Sequence, residues 1–146
     1  MIIRGMVETD LTQVCAIERE TFSQPWTKED FRSSLLTPNN GYLIADMDGE
    51  IVGYCGYWGI AGEGYIYNVA VKKEFRRQEI GYQMLRELIR QASEKDISTF
   101  TLEVRCSNTA AIHLYERLGF TRAGIRKDFY SLPTEDAVIM WLLPIQ

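Results

Sequence analysis

Apolar residues in this chain recur at two spacings, about 3.6 and 2, and the switches between them mark out the elements. A strand near Ile2 to Met6 leads into ETDLTQVCAIERETF, where Leu11, Val14, Cys15 and Ile17 share one helical stripe and Thr9 or Asp10 can cap the helix. SQPWTKEDFRSSLL reads as a second, short helix with Thr27 as N-cap and Glu29 or Asp30 in its first turn, closed by turn residues at Pro38, Asn39, Asn40 and Gly41. In GYLIADMDGEIVGYCGYW two strand-like runs flank Asp48-Gly49, a hairpin signal, and EGYIYNVAVKKEF adds a third strand. The next helix puts Met84, Leu85, Leu88, Ile89 and Ala92 on one face and leaves Arg86, Glu87 and Arg90 outside.

STFTLEVR then alternates Phe100, Leu102 and Val104 against Thr101, Glu103 and Arg105, as a half-buried strand does. NTAAIHLYERLGF predicts a helix capped by Asn108 and ended by Gly119. Strands near AGIRKDFY and DAVIMWLLPI complete the order: strand, two helices, three strands, helix, strand, helix, two strands. This predicts a mixed α/β fold with one curved mixed sheet of about seven strands flanked by about four helices, in a single domain spanning residues 1–146.

The net charge of -4 argues against broad binding to nucleic acid or to anionic membranes, so any bound anion has to be held locally. No signal or membrane-spanning stretch is evident, which leads to an expected cytoplasmic location. Cys15, Cys55 and Cys106 are widely spaced and suit reduced thiols. The one histidine, His113, has no ligand cluster around it, and no metal is expected.

Local positive charge does occur at FRRQEIGYQMLREL, where two arginines precede a short loop ending in glycine and then a helix. A strand, a tight loop and a helix start together present unpaired backbone N–H groups at the positive end of the helix dipole, which is the outline of a phosphate site. Arg76 and Arg77 add charge-assisted donors suited to diphosphate oxygens. Arginines that merely solvate the helix entrance are the alternative.

The stretch NVAVKKEFRRQEIGYQML, from Asn68 to Leu85, resembles the acetyl-CoA motif of the GCN5-related N-acetyltransferases, written Arg/Gln-x-x-Gly-x-Gly/Ala after a strand. LEVRCSNTAAIHLYERLGF, from Leu102 to Phe120, and the ending EDAVIMWL are similar to the branch that acetylates N-terminal alanine of ribosomal proteins, and PWTKEDF extends the likeness toward the start. Where the motif has its first glycine this chain has Glu79, whose side chain is expected to point to solvent.

The resemblance implies that acetyl-CoA is the co-substrate, held by Val69, Ala70 and Val71 through backbone groups, by Arg76, Arg77, Gln78, Glu79, Ile80, Gly81 and Tyr82 at the diphosphate, and by Asn108 on the pantetheine arm. It implies Glu103 as general base and Tyr115 as the acid that protonates the departing thiolate. From the residues alone Glu103 either faces water or has a task, Asn108 caps a helix, and Tyr115, two turns on, packs through its ring. Asp128, Tyr130, Glu135 and Asp136, near the last turn, are candidates to grip a basic protein tail, or are simply a solvated hairpin.

The mechanism implied is direct attack by an amine. An α-amine of pKa about 8 is far more often neutral than a lysine at about 10.4, so a weak base suffices. Cys106 lacks an adjacent base and is not expected to form an acyl-enzyme. The expected acceptor is the N-terminus of a protein, a small-subunit ribosomal protein with N-terminal alanine, with the enzyme a monomer or weak dimer. A small amine or lysine as acceptor, and a CoA-binding module without catalysis, are the alternatives.

Overall fold

In a computed structural model, described for residues 1–144, the elements follow the expected order. They are β1 (Ile2–Gly5), α1 (Leu11–Thr21), α2 (Lys28–Leu35), β2 (Asn40–Met47), β3 (Glu50–Ile60), β4 (Glu63–Val71), α3 (Ile80–Ser93), β5 (Thr99–Arg105), α4 (Thr109–Arg117), β6 (Thr121–Tyr130) and β7 (Glu135–Leu142). The last residue of the expected final strand, Ile145, lies outside the described residues.

Local chemistry explains most boundaries. Thr27 caps α2 by accepting from the Asp30 N–H at 3.2 Å while the Asp30 carboxylate accepts from the Thr27 N–H at 2.8 Å, a reciprocal capping box. Asp48 and Gly49 take positive φ values of 54° and 92°, the geometry of a tight hairpin turn. Gly119, at φ 102°, ends α4 with its N–H on the Glu116 carbonyl at 3.0 Å. Asp10 departs from expectation: its side chain does not cap α1 but accepts from the Val7 N–H at 2.8 Å and pairs with Arg4 at 2.9 Å. Burial explains the change, because a carboxylate removed from water is tolerated only with such partners.

One sheet runs in the order β1-β2-β3-β4-β5-β7-β6. Every neighbouring pair is antiparallel except β4 and β5, which run parallel. That parallel contact is short: Glu63 faces Thr99, Gly64 faces Phe100 and Tyr65 faces Thr101, and the register stops there. Beyond Tyr65 the two strands part, so the stretch from Ile66 to Val71 is paired only to β3.

Strand alternation sends side chains to two cores. Leu43, Ala45, Val52, Ile66, Leu102 and Val104 join Met84, Leu85 and Leu88 of α3 and Ile112 and Tyr115 of α4. Tyr42, Ile44, Ile51, Tyr54 and Ala70 join Leu11, Val14, Ile17 and Phe31 of α1 and α2 on the opposite face. A β-bulge at Tyr67 reverses the alternation within β4, because Gly56 faces Asn68 while the next residue, Tyr57, faces Ile66. Ile66 therefore points to the α3 side, whereas Asn68 and Ala70 point to the α1 side.

Candidate active site

The split between β4 and β5 is the centre of the site, and four segments converge on it. The first is the loop from β4 to α3. Arg76 Nε donates to the Val71 carbonyl at 3.0 Å, turning the chain back on the strand end. Arg77 and Glu79 both adopt left-handed backbone, at φ 65° and 66°. Glu79 thus takes the torsions that a glycine supplies without steric cost. Its carbonyl accepts the first bond of α3, from the Gln83 N–H at 3.0 Å. The N–H groups of Ile80, Gly81 and Tyr82 lie in the first turn, where a helix has no internal acceptor for them, and the Glu79 side chain does not cap them.

Gly81 does not end the loop as the sequence suggested. It is the second residue of α3, because the left-handed turn comes earlier, at Glu79. A Cβ there would stand 3.2 Å from Leu114 Cδ2 and 3.7 Å from Val71 Cγ2, so glycine lets α4 and β4 close on the helix start. The Glu79 carboxylate is about half exposed, and both its oxygens accept from Arg117 of α4, at 3.1 and 2.8 Å. Hydrogen bonding to Arg117 holds the Glu79 carboxyl below the usual glutamate range. Arg117 also lies 4.4 Å from the Tyr82 ring centroid. Arg76, Arg77 and Gln78 are exposed.

The second segment is β4 itself. Val69 and Val71 pack against the α3-side core and Ala70 lies in the other, which leaves the backbone as the part of this strand that can meet a ligand in the split. The third is β5. Glu103 projects to the face away from α3 with its side chain only 7% exposed. The Tyr65 hydroxyl donates to it from β4, and Arg126 Nε of β6 stands 3.4 Å away. Burial, with Glu103 beside it, pushes the Tyr65 phenol well above its ordinary value, and burial raises Tyr130 to about 12.

The fourth segment is α4. Asn108 is exposed and caps the helix by accepting from the Ala111 N–H at 3.2 Å. Tyr115 is 7% exposed and packs edge-on against Phe120 with ring centroids 5.8 Å apart. Among the described residues its hydroxyl has no protein partner, and burial pushes its pKa up, so it stays protonated and able to donate. Cys106 is half-buried against the α3-side core and His113 is exposed. Among the described residues no cluster of His, Cys, Asp and Glu could hold a metal, and no helix is long and apolar enough to cross a membrane.

The four residues near the last turn have internal partners. Glu135 accepts from the Ser107 N–H at 2.7 Å and pairs with Arg105 at 3.2 Å, and the Ser107 bonds hold its carboxyl low. Asp136 accepts from the Asp128 N–H at 2.8 Å. Arg105 bonds the Pro133 and Ser131 carbonyls and lies 4.5 Å from the Tyr130 ring centroid. Together they clasp the turn onto the β5–α4 junction, next to Asn108.

A groove that the sequence reading did not pick out opens on the same face as Glu103. It has a volume of about 550 Å³, and Trp26, Trp58 and Tyr67 line it with Asp30 and Asn40. Trp58 stacks on Tyr67 at 4.6 Å and Trp26 meets Tyr67 at 5.1 Å, while Tyr65 links them to Glu103, 5.7 Å from Tyr67. Trp26 is set by its own backbone: its N–H donates at 2.9 Å to Glu18, a buried carboxylate that also accepts from the Tyr54 hydroxyl. The visible signal was the aromatic spacing in GYW and GYIYN, which reads equally well as ordinary strand composition.

Most of the chain is similar to known proteins. Residues 11–120 match the model of the acetyltransferase (GNAT) family. The ribosomal protein bS18-alanine N-acetyltransferase of Escherichia coli (strain K12) is 36% identical over 149 residues, covering 98% of this chain and 97% of that protein. A Bacillus subtilis (strain 168) protein given the same name provisionally is 40% identical over 141 residues, covering 96% and 93%. The crystal structure of the ribosomal-protein-S18-alanine N-acetyltransferase from Escherichia coli superposes with a TM-score of 0.90 at 32% identity, covering 99% of this chain and 95% of that one.

Proposed function

Because the chain belongs to the acetyltransferase (GNAT) family and is an acetyl-CoA-dependent N-acetyltransferase, we propose that it acetylates the N-terminal α-amine of a protein, with N-terminal alanine of a small-subunit ribosomal protein as the acceptor. Residues 1–146 act as one catalytic domain in this reading. The observation that carries it is the buried Glu103 carboxylate, held by Tyr65 at the point where β4 and β5 part.

The bare first-turn N–H groups of α3, with Arg76 and Arg77, fit a diphosphate, and the parted strands fit an extended arm. Acetyl-CoA supplies the acetyl group as a thioester open to direct attack, without an acyl-enzyme. Val69 to Val71 meet the arm through their backbone, and Asn108 binds it with the amide group left over from capping. Glu103 takes the proton of the incoming ammonium, directly or through a water, and an α-amine of pKa about 8 asks little of so weak a base. Tyr115, kept protonated by burial, gives its proton to the departing thiolate. The groove of Trp26, Trp58 and Tyr67 receives the chain that follows the amine, and the clasp of Glu135 and Arg105 holds the last turn at the β5–α4 junction beside Asn108.

Intact-mass and thiol-release assays with paired peptides test this. One set has a free N-terminal alanine, and the other has that amine blocked and its lysines free. Acetylation confined to the free-end set, reduced about 10²–10⁴-fold in kcat by Glu103→Gln with acetyl-CoA affinity unchanged, is the expected result. Acetylation of both sets, or of neither, overturns the assignment of the acceptor.

A further inference from the structure

A directed chain of hydrogen bonds runs beneath the aromatic groove and ends at the split strand. Trp58 Nε1, which can only donate, gives to Ser34 Oγ and to the Tyr42 hydroxyl oxygen, each at 3.2 Å. The Asn40 amide nitrogen, also a donor, reaches Ser34 Oγ at 3.1 Å. With both donors on the serine oxygen, the serine proton is directed to Tyr42, 2.7 Å away. Tyr42 in turn gives its one proton to Asn68 Oδ1 at 3.2 Å. The orientation of the Asn68 amide follows: its oxygen faces Tyr42 and its NH₂ group faces the other way.

Among the described residues that NH₂ has no partner, although Asn68 is only 3% exposed. No buried side-chain nitrogen or oxygen in the described chain lacks a partner, so this nitrogen occupies the small part of Asn68 that remains accessible. The bulge at Tyr67 turns Asn68 onto the face that carries Tyr67, Trp58 and Glu103, three residues past the last β4–β5 pair. A donor without an acceptor is thus presented between the groove and the split.

We propose that Asn68 Nδ2 donates a hydrogen bond to the first peptide carbonyl oxygen of the acceptor, which makes Asn68 a specificity residue and Tyr42 the residue that orients it. This rests on the reading of the enzyme as an N-terminal acetyltransferase. A protein N-terminus carries a carbonyl on the same carbon as its reacting amine, so an amine at Glu103 brings a carbonyl with it at fixed spacing. A lysine side chain or a simple amine has no acceptor there.

The test compares kcat/KM for an alanine-starting peptide and for its analogue with a trans-alkene in place of the first peptide bond. The wild-type enzyme prefers the peptide by about tenfold or more, the scale of one neutral hydrogen bond in a desolvated site. Asn68→Ala removes that preference by slowing the peptide alone. Asn68→Asp keeps the bond from Tyr42 but sets an acceptor against the carbonyl, so it prefers the alkene, and this variant carries the test if the alanine variant does not fold. Tyr42→Phe frees the amide to turn and loses the preference as well. Equal slowing of both acceptors by Asn68→Ala, or weakened acetyl-CoA binding, overturns the proposal while leaving the acceptor class intact. Failure of the wild-type enzyme to acetylate the peptide overturns the acceptor class and the proposal with it.

Discussion

Glu18 is a carboxylate 3% exposed; among the described residues no cation pairs with it, and two hydrogen-bond donors reach it, the Trp26 N–H and the Tyr54 hydroxyl. Burial raises its pKa, an effect that outweighs those two bonds. The folded state therefore holds this proton more tightly than the unfolded chain does. Stability from this group is complete below the unfolded value and is lost as pH rises toward the raised folded value, above which the loss is constant. Glu18→Gln removes the titration while still offering an oxygen to Trp26 and an NH₂ to the tyrosine oxygen. The stability gap of Glu18→Gln over wild type should widen as pH rises through that window, by about 1.4 kcal/mol for each unit of elevation. All other carboxylates are common to both proteins and cancel. Urea titrations at a series of pH values from acid to neutral measure the gap directly.

A second comparison isolates the bonds. Glu18→Leu is uncharged like Glu18→Gln but orphans two buried donors, at about 1–3 kcal/mol each. It should melt about 5 to 20 °C below Glu18→Gln, at roughly 2–4 °C per kcal/mol for a chain near this size. It should also raise the peptide KM through loss of the Trp26 position. A gap that narrows with rising pH would mean that the site favours the charged carboxylate, and the reasoning from burial would be refuted.

Two further outcomes follow from the site. Arg117→Ala should weaken acetyl-CoA binding by leaving the Glu79 carboxylate unpaired beside the start of α3, and adding Glu79→Gln should recover most of the loss; calorimetric titration of the single and double variants checks this. Gly56→Ala would place a Cβ 2.2 Å from Tyr42 Cε1, displacing the ring that orients Asn68. Overpacking of this kind costs about 1–3 kcal/mol, and the variant should lose both melting temperature and preference for the peptide over its alkene analogue.

Element order was legible because helical and alternating patterns rarely overlap in this chain, and because caps and turns such as Thr27 with Asp30, Asp48-Gly49 and Gly119 act within a few residues. What escaped reading depends on contacts across the fold. Tyr65 and Glu103 are 38 positions apart and meet only because β4 and β5 are neighbours. The groove draws Trp26, Trp58 and Tyr67 from three separate segments, and no local period links them. Glu79 was visible as a departure from the motif, but its left-handed backbone and its pairing with Arg117 were not. Glu135 and Asp136 read as free surface charge because the backbone N–H groups that engage them, on Ser107 and Asp128, carry no mark in the sequence.

The short register between β4 and β5 has a mechanical consequence. A sheet whose central parallel pair is closed over only Glu63 to Tyr65 and Thr99 to Thr101 has a seam at its middle, with β1 to β4 on one side and β5 to β7 on the other. Helix α3 packs on β2, β3 and β4, on one side of that seam, and the apolar core it shares with Leu102 and Val104 of β5 joins the halves where the ladder does not. An extended ligand lying in the seam would act as a partial strand and join the two halves. Cooperativity between them would then be a property of the bound state, with the free enzyme opening first along this line.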